Sequence, residues 1–343
     1  MPRRIGTPLN QWPNEDRATW ERASASADVF DTVAVAARWR KKSRDQARYA
    51  YGRLLAHLDQ HDPSALASPV AARVTPRRMQ SYIARLEERI STMSIAAELQ
   101  HLALALRAMA PGEDWAWLRQ RQYAYQKRAR PREKRHKIVD PRRLVKLGEQ
   151  LMDGADSATG KQERARRYRD GLLIALLAMV PLRRRSLASL QIGRHLQQVA
   201  GRYVIELEAE DTKSGHSTEF DVPGALTPRL TVYLERYRPL FPGAVKETGL
   251  WLSSKGGPLG GEAIHDLVCR RTQEAFGFPI HPHLFRDIAV TAIAREAPEA
   301  LDVARDLMTH AKRDTTQKYY SRAQTADAAR RHAETLERLR TRH

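Results

Sequence analysis

The sequence predicts a mainly helical chain of two domains, a small all-α bundle followed by an α+β unit with a three-stranded antiparallel sheet. Three observations carry this. Apolar residues recur with helical spacing through residues 43–128, and strand-type alternation is confined to 195–223. Between the two stretches lies KRARPREKRHKIVDPRR (127–143), the densest basic segment, interrupted by two prolines. A length of 343 residues with 42% hydrophobic content suffices for a core in each domain.

The elements follow in order. Residues 1–30 mix Pro, Asn, Trp and charges and read as a loosely held, partly disordered lead-in with one short helix around Glu15–Ala25. From Ser43, Ala47, Tyr51, Leu54, Leu55 and Leu58 recur at i, i+4, i+7, i+8 and i+11, the stripe of an amphipathic helix. Thr75-Pro76 opens a second helix, with Thr as N-cap and Pro in the first turn. Ser91 or Thr92 caps a third that stops before Pro111-Gly112, and a fourth begins near Asp114. These helices make a bundle over 31–130, and 131–143 reads as a basic linker. A helix over 161–180 leads into PLRRRSLASL. HLQQV, a turn at Ala200-Gly201, RYVIELEAED, a turn at Lys213-Ser214-Gly215 and STEFDVP then form an antiparallel meander. Helical spacing returns beyond Pro228 and closes this domain over 144–325, leaving a polar helix at 326–343.

Charge narrows the function. Lys and Arg number 59 against 40 Asp and Glu, a formal net charge of +19, which favours a polyanionic partner. A membrane is disfavoured, because GLLIALLAMVPL (171–182) is too short to span a bilayer and ends in three arginines. The first thirty residues lack the apolar core of a signal peptide, and a single cysteine, Cys269, fits a reducing cytoplasm. A soluble, cytoplasmic, nucleic-acid-binding protein is the expectation.

Four windows carry candidate chemistry: PLRRRSLASL (181–190), DTKSGHSTEFDVP (211–223), PHLFRDIAVT (282–291) and LMTHAKRDTTQKYY (307–320). Each alone also fits a structural role, as surface charge, a turn lysine, helix-face neighbours or packing tyrosines. Their order is the informative feature. Arg, Lys, His-x-x-Arg, His and Tyr in this sequence resemble the catalytic set of the tyrosine recombinases, the phage integrase family. His283-Leu-Phe-Arg286 matches the family's HxxR, and Tyr319 follows His310 by nine residues through a Thr-Thr-x-x-Tyr approach. That spacing favours Tyr319 over its neighbour Tyr320. Leu187 and Leu190 fit the family's Arg-x-x-acidic-Leu-x-x-Leu only if Arg183 is the first arginine, since Arg184 and Arg185 put the leucines out of register. Lys213 occupies the hairpin turn of the family lysine. The likeness covers 140–325 well and is looser over 40–130.

The resemblance implies a helical core-binding domain (SAM-like) at the N-terminus and a catalytic domain of the DNA breaking-rejoining type. It implies that Arg183, Lys213, His283, Arg286, His310 and the nucleophile Tyr319 form one site on a double-stranded DNA recombination site. Four protomers would assemble there, with an accessory protein as a further candidate partner. The chemistry is consistent with this reading. Guanidiniums donate planar, bidentate hydrogen bonds to phosphate oxygens and stay ionised. Imidazoles exchange protons near neutrality. A phenol of pKa about 10 is only ~0.1% phenolate at pH 7, and neighbouring cations raise that fraction. Lys213 is the candidate general acid for the 5′ oxygen. No cofactor is implied: the sequence has no Walker-type GxxxxGK[ST] motif, no clustered carboxylates for Mg²⁺ and too few soft ligands for zinc. The pair His281 and His283 lacks a Cys or HExxH partner for a metal; His281 has no assigned role and His216 reads as a turn residue.

Some positions depart from the family pattern. Pro181 stands where Gly is usual, Ser186 where an acid is usual, Asp287 where His is common and Thr309 where Gly is common. No reacting group is lost. The alternatives are a type IB topoisomerase, which shares the catalytic set, a non-catalytic DNA-binding relative, and a generic RNA-binding protein, which the modest aromatic content (7%) disfavours. The helix at 326–343 has few apolar anchors (Ala329, Leu336, Leu339) and is expected to dock on a neighbouring protomer. Deleting 326–343 should spare single-strand cleavage and impair strand exchange, which parallel cleavage and recombination assays of the truncated chain would check.

Overall fold

The computed structural model describes residues 6–25, 34–130, 135–212 and 217–296. Lys213, His216, Thr309, His310, Tyr319, Tyr320 and the helix expected at 326–343 lie outside the described residues. The chain divides into two compact units, 1–132 and 133–343.

In the first unit, α1 (Asn14–Ser24), α2 (Lys41–His61), the single turn α3 (Val70–Arg73), α4 (Pro76–Glu87), α5 (Thr92–Met109) and α6 (Ala116–Arg128) surround one core. The α2 stripe is buried as its spacing requires, with Ala47, Ala50, Tyr51, Leu54, Leu55 and Leu58 all inside. It faces α5, whose Leu99, Leu102 and Leu106 are fully covered. The caps are those the local sequence dictates. Thr75 Oγ1 accepts from the Arg78 N–H at 3.4 Å, and Ser91, not Thr92, caps α5 by accepting from Ser94 at 3.3 Å. The fourth predicted helix is only weakly amphipathic. Leu118 is the one buried residue of α6, and Tyr123 on the same helix stands half exposed.

The lead-in expectation is revised for residues 6–25. Trp12 and Trp20 are buried against each other and Tyr51, and Thr7 donates to the Gly52 carbonyl at 2.9 Å. Gly52 makes this approach possible, because a Cβ there would stand 2.5 Å from the Thr7 carbonyl oxygen. Asp16 accepts from Tyr51 Oη at 2.8 Å and pairs with Arg73, whose guanidinium also donates to the Ala65, Leu66 and Ser68 carbonyls. A fully buried guanidinium is tolerated here because it is paired and its donors meet oxygens. Aromatic bulk and a paired acid tie down a segment that composition alone marks as loose.

The second unit contains α7 (Pro141–Asp153), α8 (Lys161–Met179), α9 (Arg184–Ala188), β1 (Leu196–Val199), β2 (Arg202–Leu207), β3 (Thr218–Asp221), α10 (Thr227–Val232), α11 (Gly261–Phe276) and α12 (Pro282–Glu296). Asp140 caps α7 by accepting from Arg142 at 2.8 Å. The apolar run at 171–182 is the buried half of α8, and among the described residues no helix is long and apolar enough to cross a membrane. The sheet has the order β1-β2-β3, antiparallel, with Leu196 opposite Ile205 and Ile205 opposite Phe220. Its first turn is two residues, Ala200 (φ 49°) and Gly201 (φ 77°), both in the left-handed region that a tight primed hairpin turn demands. β2 ends at Leu207, short of the alternation predicted through Asp211, because Glu208, Glu210 and Asp211 turn to meet Arg194.

Buried ions tie this unit together. Asp170 of α8 is fully buried and accepts from Arg169 at 2.7 Å and from Arg271 of α11 at 3.0 Å, while Arg169 donates to the Leu252 carbonyl at 2.6 Å. α7 crosses α8 at Gly148 and Gly171, where backbone meets backbone: a Cβ on Gly148 would stand 2.6 Å from the Gly171 carbonyl oxygen, and one on Gly171 would overlap that of Gly148. Gly171→Ala should therefore destabilise the second unit by about 1–3 kcal/mol, against the ~1 kcal/mol that helix propensity alone would add. Thermal or urea unfolding would show the sign.

Candidate active site

Two arginines predicted for the site come together, and the local sequence explains how. α8 stops where Pro181 removes a donor, and α9 opens two residues later with Arg183 as its N-cap residue. Leu187 and Leu190 are fully buried, which fixes the rotation of α9. The three neighbouring arginines then separate. Arg185 is exposed; Arg184 makes a two-pronged pair with Glu262 of α11, at 2.9 and 3.0 Å; Arg183 is half-buried. On α12, Leu284, Phe285 and Ile288 enter the core and carry Arg286 inward with them, so that it is only 5% exposed. Its Nη1 donates to the Pro181 carbonyl at 2.6 Å.

That bond brings the end of α8 and the first turns of α12 together, and the charges register it. Burial pushes the Arg286 guanidinium down to about 10, the charge of Arg183 pushes the same way, and Asp287 opposes both. Burial lowers Arg183 as well. Both remain cations at neutral pH, held partly out of water beside a like charge. Such a place favours an incoming anion.

The histidines lie at the edge of this ground. His283 is exposed at the start of α12, and its ring stacks nearly parallel to His281 at 6.5 Å between centroids. His281 faces His265 of α11 at 6.3 Å. Lys213, His310 and Tyr319 lie outside the described residues, so the structure places three of the six predicted site residues and brings two, Arg183 and Arg286, within electrostatic reach.

Three of the four departures from the family pattern, Pro181, Ser186 and Asp287, lie among the described residues. Pro181 contributes only its carbonyl, which any residue supplies. Asp287 favours the charged form of Arg286. Ser186 is buried and its Oγ donates to the Asp211 carbonyl at 3.3 Å. The sequence reading missed His195 and Asp211, which meet at 3.1 Å in this region; a histidine before a strand and an acid after one carry no local pattern that pairs them. The expectation of no clustered carboxylates is corrected: among the described residues, the ligand atoms of Glu208, Glu210 and Asp211 come within 4.8 Å of one another, and Arg194 donates to all three. The Cys269 thiol is raised by burial, away from the thiolate a nucleophile needs.

No protein-family model and no curated protein matches the sequence. Solved structures do match. A lambda integrase fragment, residues 75–356, crystallised as a dimer bound to a COC′ core site, aligns with a TM-score of 0.54 at 13% identity, covering 84% of this chain and 91% of that one. The fold is the tyrosine-recombinase fold. XerA recombinase also aligns, at 15% identity over 94% of this chain and 98% of its own, with a TM-score of 0.41. The mainly helical architecture with its small antiparallel sheet is thus the recombinase architecture expected from the sequence.

Two cations in one desolvated place give a direct expectation. Millimolar phosphate should raise the apparent unfolding temperature, about 2–4 °C per kcal/mol of binding for a unit of this size. Arg286→Met, which removes the charge beside Arg183 and with it the hydrogen bond to the Pro181 carbonyl, should unfold below wild type without phosphate and lose the phosphate response. Differential scanning fluorimetry with and without phosphate tests both.

Proposed function

We propose that the protein is a site-specific DNA recombinase that cuts and rejoins DNA through a covalent 3′-phosphotyrosyl intermediate, without metal or ATP. The observation that carries this reading is the pairing of Arg183 with Arg286, two cations held beside each other and partly withdrawn from water. A phosphodiester gains negative charge on its non-bridging oxygens as a nucleophile attacks, and fixed guanidiniums stabilise that charge at little cost in reorganisation. The net charge of +19 supplies attraction for the duplex.

In this mechanism the Tyr319 Oη attacks phosphorus and forms the 3′-phosphotyrosyl bond as the bond from phosphorus to the 5′ oxygen breaks. Lys213 gives the leaving oxygen its proton, leaving a 5′-hydroxyl. His283 and His310 hydrogen-bond to the phosphate and take up the phenol proton. The 5′-hydroxyl of a partner strand then attacks phosphorus and releases Tyr319, so the bond energy is conserved through the cycle. Two sites must be joined, which asks for four protomers on DNA. A cytoplasmic setting in a cell or mobile element suits this chemistry, and an accessory protein setting direction would be a further partner.

Covalent capture tests the reading. Wild type, Tyr319→Phe and Tyr320→Phe are expressed in cells carrying a random-insert DNA library, lysed in strong detergent and pulled down, and the attached DNA is sequenced. Wild type and Tyr320→Phe should retain DNA at one recurring sequence, and Tyr319→Phe none. Covalent DNA scattered over all sequences would favour a type IB topoisomerase, and no covalent DNA from any of the three would overturn the catalytic reading.

A further inference from the structure

The buried His195 lies between α9 and β1, and its surroundings define how it is protonated. The Gln191 N–H donates to His195 Nδ1 at 3.1 Å, so that nitrogen carries no proton, and Nε2–H is the donor toward Asp211 Oδ2 at 3.1 Å. This tautomer is assigned from its hydrogen-bond partners. The backbone secures the ring from both sides. His195 N–H donates to the Gln191 carbonyl at 2.9 Å, and its own carbonyl accepts from Glu206 of β2 at 2.8 Å.

Asp211 is held from three directions. Its carboxylate takes the His195 proton donor and the Arg194 guanidinium, the latter at 3.2 Å. Its carbonyl accepts from Ser186 on α9 at 3.3 Å, and its N–H donates to the Glu208 carbonyl at 3.0 Å. Thr212, itself buried, closes the turn by donating from Oγ1 to the Ala209 carbonyl at 3.2 Å. Asp211 is thereby fixed to α9, the helix whose first residue is preceded by Arg183, and Thr212 to the turn that carries Asp211. Lys213 is the next residue in the chain.

We propose that His195 and Asp211, with Ser186, form a positioning clamp that fixes the end of the β2 turn to α9 and so sets the Lys213 ammonium relative to the phosphate held by Arg183. The inference rests on the reading of Lys213 as general acid. Asp211 and His195 touch neither DNA nor the reacting atoms in this scheme; they act through Lys213. Nothing in the recombinase reading requires a histidine–carboxylate pair at these positions.

The test separates a misplaced acid from a damaged fold. In ordinary DNA the bond from phosphorus to the 5′ oxygen breaks and the alkoxide takes the Lys213 proton. With sulfur in place of that bridging oxygen, the bond from phosphorus to sulfur breaks and a thiolate departs. A thiol of pKa about 8.5 needs no proton donor to leave. Wild type, Lys213→Ala, Asp211→Ala, Asp211→Asn and Ser186→Ala are each given nicked duplexes of the captured target sequence, with oxygen or sulfur at the bridging 5′ position, and formation of the covalent complex is timed.

Asp211→Ala should cleave the oxygen substrate about 10²-fold more slowly than wild type, the loss expected from a displacement of about an ångström, and return to near the wild-type rate on sulfur. Ser186→Ala, which deletes one hydrogen bond and little volume, should show the same rescued defect at about three- to tenfold. Asp211→Asn keeps an acceptor for His195 and should recover most of the rate on oxygen. An Asp211→Ala and a Ser186→Ala that are equally slow on both substrates, while Lys213→Ala is rescued by sulfur, would make the clamp merely structural and overturn the proposal. So would unchanged cleavage of the oxygen substrate by both variants. A Lys213→Ala that sulfur does not rescue, while wild type cleaves, would overturn the general-acid reading itself, and the clamp proposal with it.

Discussion

The hydrogen bond from Arg286 to the Pro181 carbonyl is the constraint around which the second unit is organised. It joins the end of α8 to α12, elements more than a hundred residues apart in the chain, and draws a guanidinium into a place that only 5% of its surface escapes. Arg183 stands near enough for its charge to lower the Arg286 proton affinity further. Two like charges do not gather in low dielectric without being held there. What holds them is apolar: Leu187 and Leu190 under one, Leu284, Phe285 and Ile288 around the other. The core supplies the free energy and the arginines receive the geometry.

The same device recurs wherever this arginine-rich chain buries charge. Arg73 in the first unit and Arg169 and Arg238 in the second donate to backbone carbonyls, and the first two also meet an acid, Asp16 or Asp170. A forked guanidinium can satisfy several carbonyls at once, and an ammonium cannot reach them all from one point. A net charge of +19 is therefore compatible with two well-packed cores, because part of the excess is spent inside as cross-links between elements. Arg286 likewise donates to a carbonyl, and there the like charge of Arg183 adds to the lowering by burial while Asp287 opposes both.

Local pattern made much of this legible. The α2 stripe, the Thr75 cap and the three strands follow from spacing and turn chemistry that are complete within a few residues. The leucines that the family resemblance used to choose Arg183 among three arginines, Leu187 and Leu190, are both buried. What escaped was long-range. Trp12 and Trp20 looked like a loose terminus because Tyr51, which packs against Trp12, lies nearly forty residues on. β2 looked longer than it is because Glu208–Asp211 alternate well enough for a strand, and Arg194 on the far side of the hairpin turns them away. His195 and Asp211, sixteen apart, share no motif at all.

That last pair also explains why serine stands at position 186. The partner of Ser186 is a carbonyl oxygen, that of Asp211, which can only accept. An ionised carboxylate at 186 would set acceptor against acceptor in a buried place and would donate nothing. A hydroxyl is the smallest group that donates there. A negative charge stands nearby on the Asp211 side chain, on the far side of the same residue, where His195 and Arg194 meet it. Donor and charge, which a single acid cannot provide together, are divided between two residues and joined through one backbone carbonyl. Position 186 is then read correctly only together with 211. Ser186 and Asp211 form one contact between α9 and the turn after β2.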